Sequence, residues 1–113
     1  LVSDNKTLAH PDSVDSIPSC ANQEDHVSMG ANAARHAREI LENVRRVIAI
    51  ELMTACQAID LRPDGSRRLG RGTARAYREV RRVVPMVVHD RESTHDVEAL
   101  VGLIESGRLI EEP

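Results

Sequence analysis

The sequence predicts an all-α chain: an irregular polar lead, then one long helix and two shorter ones. Three observations carry this reading. Apolar residues recur at three- and four-residue steps from Ala33 to Ile59, the period of a helix face. No segment alternates apolar and polar residues as a half-buried strand does, and no internal repeat is evident. Proline, glycine and hydroxyl residues then divide the second half into helix-length pieces.

Residues 1–27 do not read as a regular element. Asp4, Asn5 and Lys6 are polar, and Pro11 and Pro18 bracket Asp12, Ser13, Asp15 and Ser16. Proline removes a donor and restricts its predecessor, which disfavours a long helix here. An irregular stretch of this length points to a functional loop or a linker.

The long helix is predicted from about 28 to 61. Ala33, Ala37, Ile40, Leu41, Val44, Val47, Ile48, Leu52, Ala55 and Ile59 form its apolar face. Arg35, Arg38, Glu39, Glu42, Arg45 and Arg46 fill most of the other side, with Glu42 at i,i+4 spacing from both Arg38 and Arg46. Some 30 residues at the helical rise span about 45–50 Å, long for a lone small domain. From Val47 to Ile59 the helix is apolar on several sides and calls for neighbours on several sides. Pro63-Asp64-Gly65 marks a turn, and Ser66 to Gly72 reads as a basic solvated loop without a phosphate-binding glycine pattern. A second helix is expected over 73–88, capped by Thr73, with Pro85 breaking or kinking it. A third is expected over 94–106, with Ser93 and Asp96 as a variant capping box and Gly107 as the stop.

Composition narrows the function classes. The 113 residues carry 15 basic and 18 acidic side chains, a net charge of −3, which argues against a cationic nucleic-acid surface. Tyr77 is the only aromatic among Phe, Trp and Tyr, so stacking platforms for bases are missing. No stretch approaches the roughly 20 apolar residues of a membrane span. A single domain of this size would bury roughly 60–68% of its unfolded surface. Cys20 and Cys56 lack metal-ligand spacing and read as two buried thiols in a reducing compartment. The chain opens on Leu1-Val2-Ser3 rather than Met, as a sequence entered partway through a longer protein would.

The densest polar cluster is Asn22-Gln23-Glu24-Asp25-His26, just before the long helix. It has two readings. In one, Asp25 or Ser28 caps the helix and the acidic residues suit its positive end. In the other, adjacent carboxylate, amide and imidazole groups form a polar active-site rim. Glu24 and His26 alone do not make a metal shell, and no metal is expected. His10, His36, His89 and His95 are scattered, and no nucleophile-elbow context accompanies them.

His10-Pro11, Ser13-Val14-Asp15-Ser16-Ile17-Pro18 and the run from Ala21 to Gly30, Ala-Asn-Gln-Glu-Asp-His-Val-Ser-Met-Gly, resemble the C-terminal region of the histidine ammonia-lyases. The same signature, looser, marks the wider family of aromatic amino-acid ammonia-lyases and aminomutases. The likeness continues through Glu51-Leu52, Ala55 to Asp60, Val84-Pro85, Asp90-Arg91 and Asp96 to Ala99. Ser19-Cys20 stands where the family often has Thr-Ser.

The resemblance implies a mostly helical enzyme about four times this length, assembled as a cytoplasmic homotetramer with active sites shared between subunits. It implies a methylidene-imidazolone prosthetic group made from an internal Ala-Ser-Gly, which must lie outside this chain because the tripeptide is absent here. The chain would then be a C-terminal piece, inactive alone, partnered by the remaining N-terminal part of the enzyme. Residues 1–27 would line the active site and 28–113 would be helical scaffold rather than an independent domain. Glu24 matches the position whose carboxylate faces the amino-acid substrate, giving it a catalytic and binding role. Gln23 would hold the loop and bind within the site, with Asn22, Asp25 and His26 as support. The implied reaction has the substrate amine add to the electrophile, a base remove the β proton and ammonia leave, giving urocanate from histidine. A tyrosine ammonia-lyase or aminomutase is the nearest alternative, and a non-catalytic helical oligomerisation module the alternative of another class.

Overall fold

The periodic run Ala33–Ile59 lies within a single helix, α2, spanning Gly30–Asp60 in the computed structural model, which describes residues 1–110. With α1 (Val2–Leu8), α3 (Arg71–Val83) and α4 (Thr94–Glu105) it makes an all-α chain. Glu111 to Pro113, part of the expected scaffold, lie outside the described residues. Among the described residues there is no strand, only an isolated bridge between Ser19 and Glu24. The chain divides into two compact units, Leu1–Val44 and the residues from Arg45 onward.

In the first unit the lead is more regular than its composition predicts. Val2–Leu8 is helical, and a short 3-10 helix runs over Asp12–Asp15. The prolines act only from Pro11 onward, so nothing prevents the seven residues before Ala9 from closing helical turns. Asn43 Nδ2 donates to Asn5 Oδ1 at 2.9 Å, tying α1 to α2. Neither Asp25 nor Ser28 caps α2. Its first bonds run from the amides of Asn32 and Ala33 to the Met29 carbonyl, both at 3.0 Å. The helix accordingly starts at Gly30, two residues later than expected.

The second unit holds the core. Ala49 and Cys56, seven residues apart, lie on one face of α2. They cluster with Val80 of α3, Val84 just beyond it, and Leu100 and Leu103 of α4, all essentially without solvent contact. Each of the four larger side chains contributes roughly 1.5–3 kcal/mol by leaving water. Ile48 and Ile50 remain exposed, so among the described residues α2 is covered on part of its apolar surface only.

Several local expectations are corrected. Helix α3 begins at Arg71 with Gly70 as its N-cap, so part of the expected basic loop is helical, and Gly65–Arg68 forms a 3-10 turn. Thr73 lies inside the first turn and donates to the Gly70 carbonyl at 3.0 Å instead of capping. The helix ends at Val83 rather than near 88. Val84 is extended (φ −129°, ψ 114°) because Pro85 disfavours a helical predecessor. Ser93 precedes α4 but makes no side-chain cap bond, and Asp96 turns to Arg91 at 2.6 Å. Glu42 pairs with Arg38 at 3.3 Å, whereas Arg46 reaches Glu98 of α4 at 3.3 Å. Gly107 follows α4 with φ 73°, a left-handed position suited to glycine. Beyond α3, the amide of Gln57 clamps the Val87 backbone, donating to its carbonyl at 2.8 Å and accepting from its N–H at 3.0 Å.

Candidate functional site

The Asn22–His26 cluster sits on a closed loop. Ser19 and Glu24 exchange backbone bonds, Ser19 N–H to Glu24 O at 3.0 Å and Glu24 N–H to Ser19 O at 3.2 Å. The Gln23 N–H donates to the Cys20 carbonyl at 3.1 Å. Between these anchors Cys20, Ala21 and Asn22 are all left-handed, with φ of 50°, 56° and 67°. Asparagine tolerates that region. Alanine and cysteine do so at a cost of roughly 1–2 kcal/mol each, through contact between Cβ and the next carbonyl. The strained turn presents the four side chains from Ala21 to Glu24 to solvent.

Glu24 is the chemically freest member. One carboxylate oxygen accepts from Ser19 Oγ at 3.2 Å, and among the described residues no cation pairs with it. Both oxygens keep acceptor capacity for an outside donor. Gln23 holds the turn through its backbone. Among the described residues its side-chain amide makes no hydrogen bond, and the same holds for the side chains of Asn22, Asp25 and His26, all exposed. Asp25 and His26 stand five and four residues before α2, out of its first turn.

Three clefts of about 400, 310 and 130 Å³ are found elsewhere. The first lies between Asp4 and Leu8 of α1 and Glu39 and Asn43 of α2. The second is lined by Gln57, Val87, Arg91 and Asp96, and the third by Cys56, Ile59, Tyr77 and Val80. The loop at 19–26 borders none of the three. It offers polar groups on an open surface, and walls for a substrate would have to come from other residues. Among the described residues no three His, Cys, Asp or Glu side chains gather as metal ligands would, and no helix is long and apolar enough to cross a membrane.

Two polar clusters escaped the sequence reading. Asp12, buried in the 3-10 helix, accepts from Asn32 Nδ2 and lies 3.3 Å from His36 Nδ1. The i,i+4 spacing of Asn32 and His36, which puts both on one helix face, was the available signal. In the second unit, Tyr77 donates to Asp60, whose other oxygen lies 2.5 Å from Arg81. Arg81 also stacks 5.9 Å from the Tyr77 ring centre. The bond to Asp60, then burial, raises the Tyr77 hydroxyl above its ordinary value. Burial likewise pushes the Cys56 thiol up, with Arg81 opposing. Cys20 is exposed, against the expectation of two buried thiols, because it rides the turn of the loop.

A family model described as aromatic amino acid lyase matches residues 1–82, a stretch containing the loop and the whole of α2. The chain belongs to the aromatic amino acid lyase family. A histidine ammonia-lyase of Natranaerobius thermophilus is 57% identical over 112 residues, covering 99% of this chain and 22% of the relative. The crystal structure of histidine ammonia-lyase from Trypanosoma cruzi superposes with a TM-score of 0.85 at 46% identity, covering 96% of this chain and 21% of that one. A tyrosine aminomutase from Streptomyces globisporus superposes equally, with a TM-score of 0.85, at 36% identity over 96% of this chain and 20% of that one. The chain thus spans about a fifth of the length of the aromatic amino acid lyase relatives it matches.

Proposed function

We propose that these residues form part of an enzyme that eliminates ammonia from L-histidine to give urocanate, with Glu24 and Gln23 facing the substrate. The observation that carries this is the strained loop that presents a Glu24 carboxylate to which no cation is paired among the described residues. A left-handed conformation at three successive residues, two of them poorly suited to it, is a feature that clusters at functional sites.

The chemistry of Glu24 favours a substrate ring with an N–H. An ionised carboxylate only accepts, and an imidazole N–H donated to it makes a charge-assisted bond stronger than a neutral one. The same carboxylate stabilises positive charge developing on the ring. Gln23 adds an amide that both donates and accepts, and Asn22, Asp25 and His26 flank the pair as support. The electrophile, a methylidene-imidazolone group, would come from an Ala-Ser-Gly outside this chain and supply the acceptor for the substrate amine. The loop's carboxylate and amides suit neighbours of the bound substrate. The remaining walls would come from the rest of the polypeptide and from other subunits of a cytoplasmic homotetramer, which agrees with a loop that borders none of the three clefts above.

A tyrosine ammonia-lyase or aminomutase is the second reading, favoured by the likeness to the Streptomyces globisporus enzyme. A phenol O–H could donate to Glu24 as an imidazole N–H does. The test offers the complete polypeptide L-histidine and L-tyrosine separately, follows the absorbance of urocanate and of hydroxycinnamate, and separates β-tyrosine by chromatography. Histidine should be preferred, and Glu24→Gln should lower its turnover about tenfold or more, the worth of one charge-assisted bond. Preference for tyrosine rules the histidine reading out, and unchanged histidine turnover in Glu24→Gln rules out the role given to Glu24. No turnover of either would favour a non-catalytic helical module.

A further inference from the structure

Glu24 is exposed, yet the segment carrying it is moored at a buried carboxylate twelve residues earlier. We propose that Asp12 is a positioning residue that holds the Glu24 loop in its strained form. Asp12 is 7% exposed, and a buried carboxylate persists only where donors meet it. Both groups that face it come from α2, and one of them donates. Asn32 Nδ2 donates to one oxygen, and His36 Nδ1 lies 3.3 Å from the other. Four residues apart on a helix, Asn32 and His36 project from one face, Asn32 bonding one oxygen and His36 facing the other without a hydrogen bond among the described residues.

The mooring reaches the loop through three further joints. Asp12 opens the 3-10 helix Asp12–Asp15, at whose end Asp15 lies 3.0 Å from His10 Nε2 on the surface. The next residue, Ser16, accepts the Val27 N–H on its hydroxyl at 2.7 Å and so closes the excursion between them. Within that excursion the Ser19–Glu24 bridge closes the inner turn. Three left-handed residues would relax if the ends were free, so the closure at Ser16–Val27 and the anchor at Asp12 are what keep Glu24 aimed. Among the described residues the Asp12 carboxylate makes no hydrogen bond to the loop, and its effect on turnover would run through Glu24. Its importance for turnover rests on the role proposed for Glu24, whereas its hold on the loop does not.

The test uses the complete polypeptide with Asp12→Ala, Asp12→Asn, Glu24→Gln and the Asp12→Ala/Glu24→Gln pair. Hydrogen exchange at the amides of Ser19, Glu24 and Val27 should rise about tenfold or more in Asp12→Ala while α3 and α4 stay within about twofold. Turnover of histidine, as kcat/KM, should fall about tenfold. Asp12→Asn keeps an acceptor for Asn32 and should retain turnover within about threefold. In the Glu24→Gln background the added Asp12→Ala should cost less than about twofold, because two residues on one path are not independent. Loop amides that stay protected in Asp12→Ala overturn the proposal, and so do effects of the two substitutions that multiply in full. If Glu24→Gln alone proves silent, the role of Glu24 fails, and the exchange rates still decide whether Asp12 holds the loop. Should Asp12→Ala not fold, Asn32→Ala, which removes one donor and keeps the carboxylate, must show the same loop-confined rise.

Discussion

Asp60 is the pivot of the second unit's polar cluster, and replacing it with asparagine separates two kinds of loss. Asp60 and Arg81 are both nearly enclosed, with side chains 11% and 14% exposed, and they meet at 2.5 Å. The approach is off the hydrogen-bond direction, which leaves Arg81 Nε and one Nη without a hydrogen bond among the described residues. Arg81 is therefore compensated by charge more than by directed bonds, its one bond to protein running to the Val84 carbonyl at 3.0 Å. Asp60→Asn keeps an acceptor for Tyr77 but strands the guanidinium, and stranding one partner of a buried pair costs about 3–5 kcal/mol. Tyr77→Phe removes a single bond, worth about 0.5–1.5 kcal/mol. Urea unfolding of the two variants should differ accordingly, with Asp60→Asn the more damaging by at least about 1.5 kcal/mol. Tyrosinate absorbance gives the second readout, as a difference between protein with Tyr77 and with Tyr77→Phe. Asp60 raises the Tyr77 hydroxyl, so Asp60→Asn should bring its titration back toward about 10, the ordinary value. The sign for stability follows from the raised value. The unfolded chain loses the tyrosine proton first, so the stabilisation is complete below about pH 10 and is lost as pH rises through the folded value. An Asp60→Asn variant no less stable than Tyr77→Phe would refute the charge-pair account.

Three further outcomes follow from the same geometry. Gln57→Met keeps the length and loses both bonds to Val87, so denaturant midpoints should report a loss of about 1–3 kcal/mol, with exchange rising first around Val87. Leu103→Ala should cost about 2–5 kcal/mol on unfolding, the range for a leucine removed from a closed core, whereas Arg46→Ala, which breaks only the partly exposed pair with Glu98, should cost less than about 1 kcal/mol. Thiol alkylation followed by mass spectrometry should label Cys20 in the folded state and Cys56 only after denaturation, since Cys56 is buried and its thiol is pushed up by that burial.

What the sequence by itself determined is local or carried by a long motif. The apolar spacing from Ala33 to Ile59 specified α2 because a helix face repeats every 3.6 residues. Pro85 and Gly107 ended their helices because one constrains its predecessor and the other accepts a left-handed turn. The run from Ala21 to Gly30 pointed to the lyase family, which the family match over residues 1–82 bears out. Tertiary structure decided what long polar side chains do. Arg46 had Glu42 at suitable spacing and took Glu98 instead, and Asp96 took Arg91 instead of capping α4. It also decided that Ala21 and Cys20, neither a turn former, adopt left-handed backbone, and that Asp12 lies beneath Asn32 and His36. For the long-range pairs the physical reason is the same. Backbone period and proline sterics act within a few residues and are written in sequence order. A charged or amide side chain can reach several partners, and which one it meets depends on elements brought together from 20 to 52 residues away, as Asp12 with Asn32 and Arg46 with Glu98.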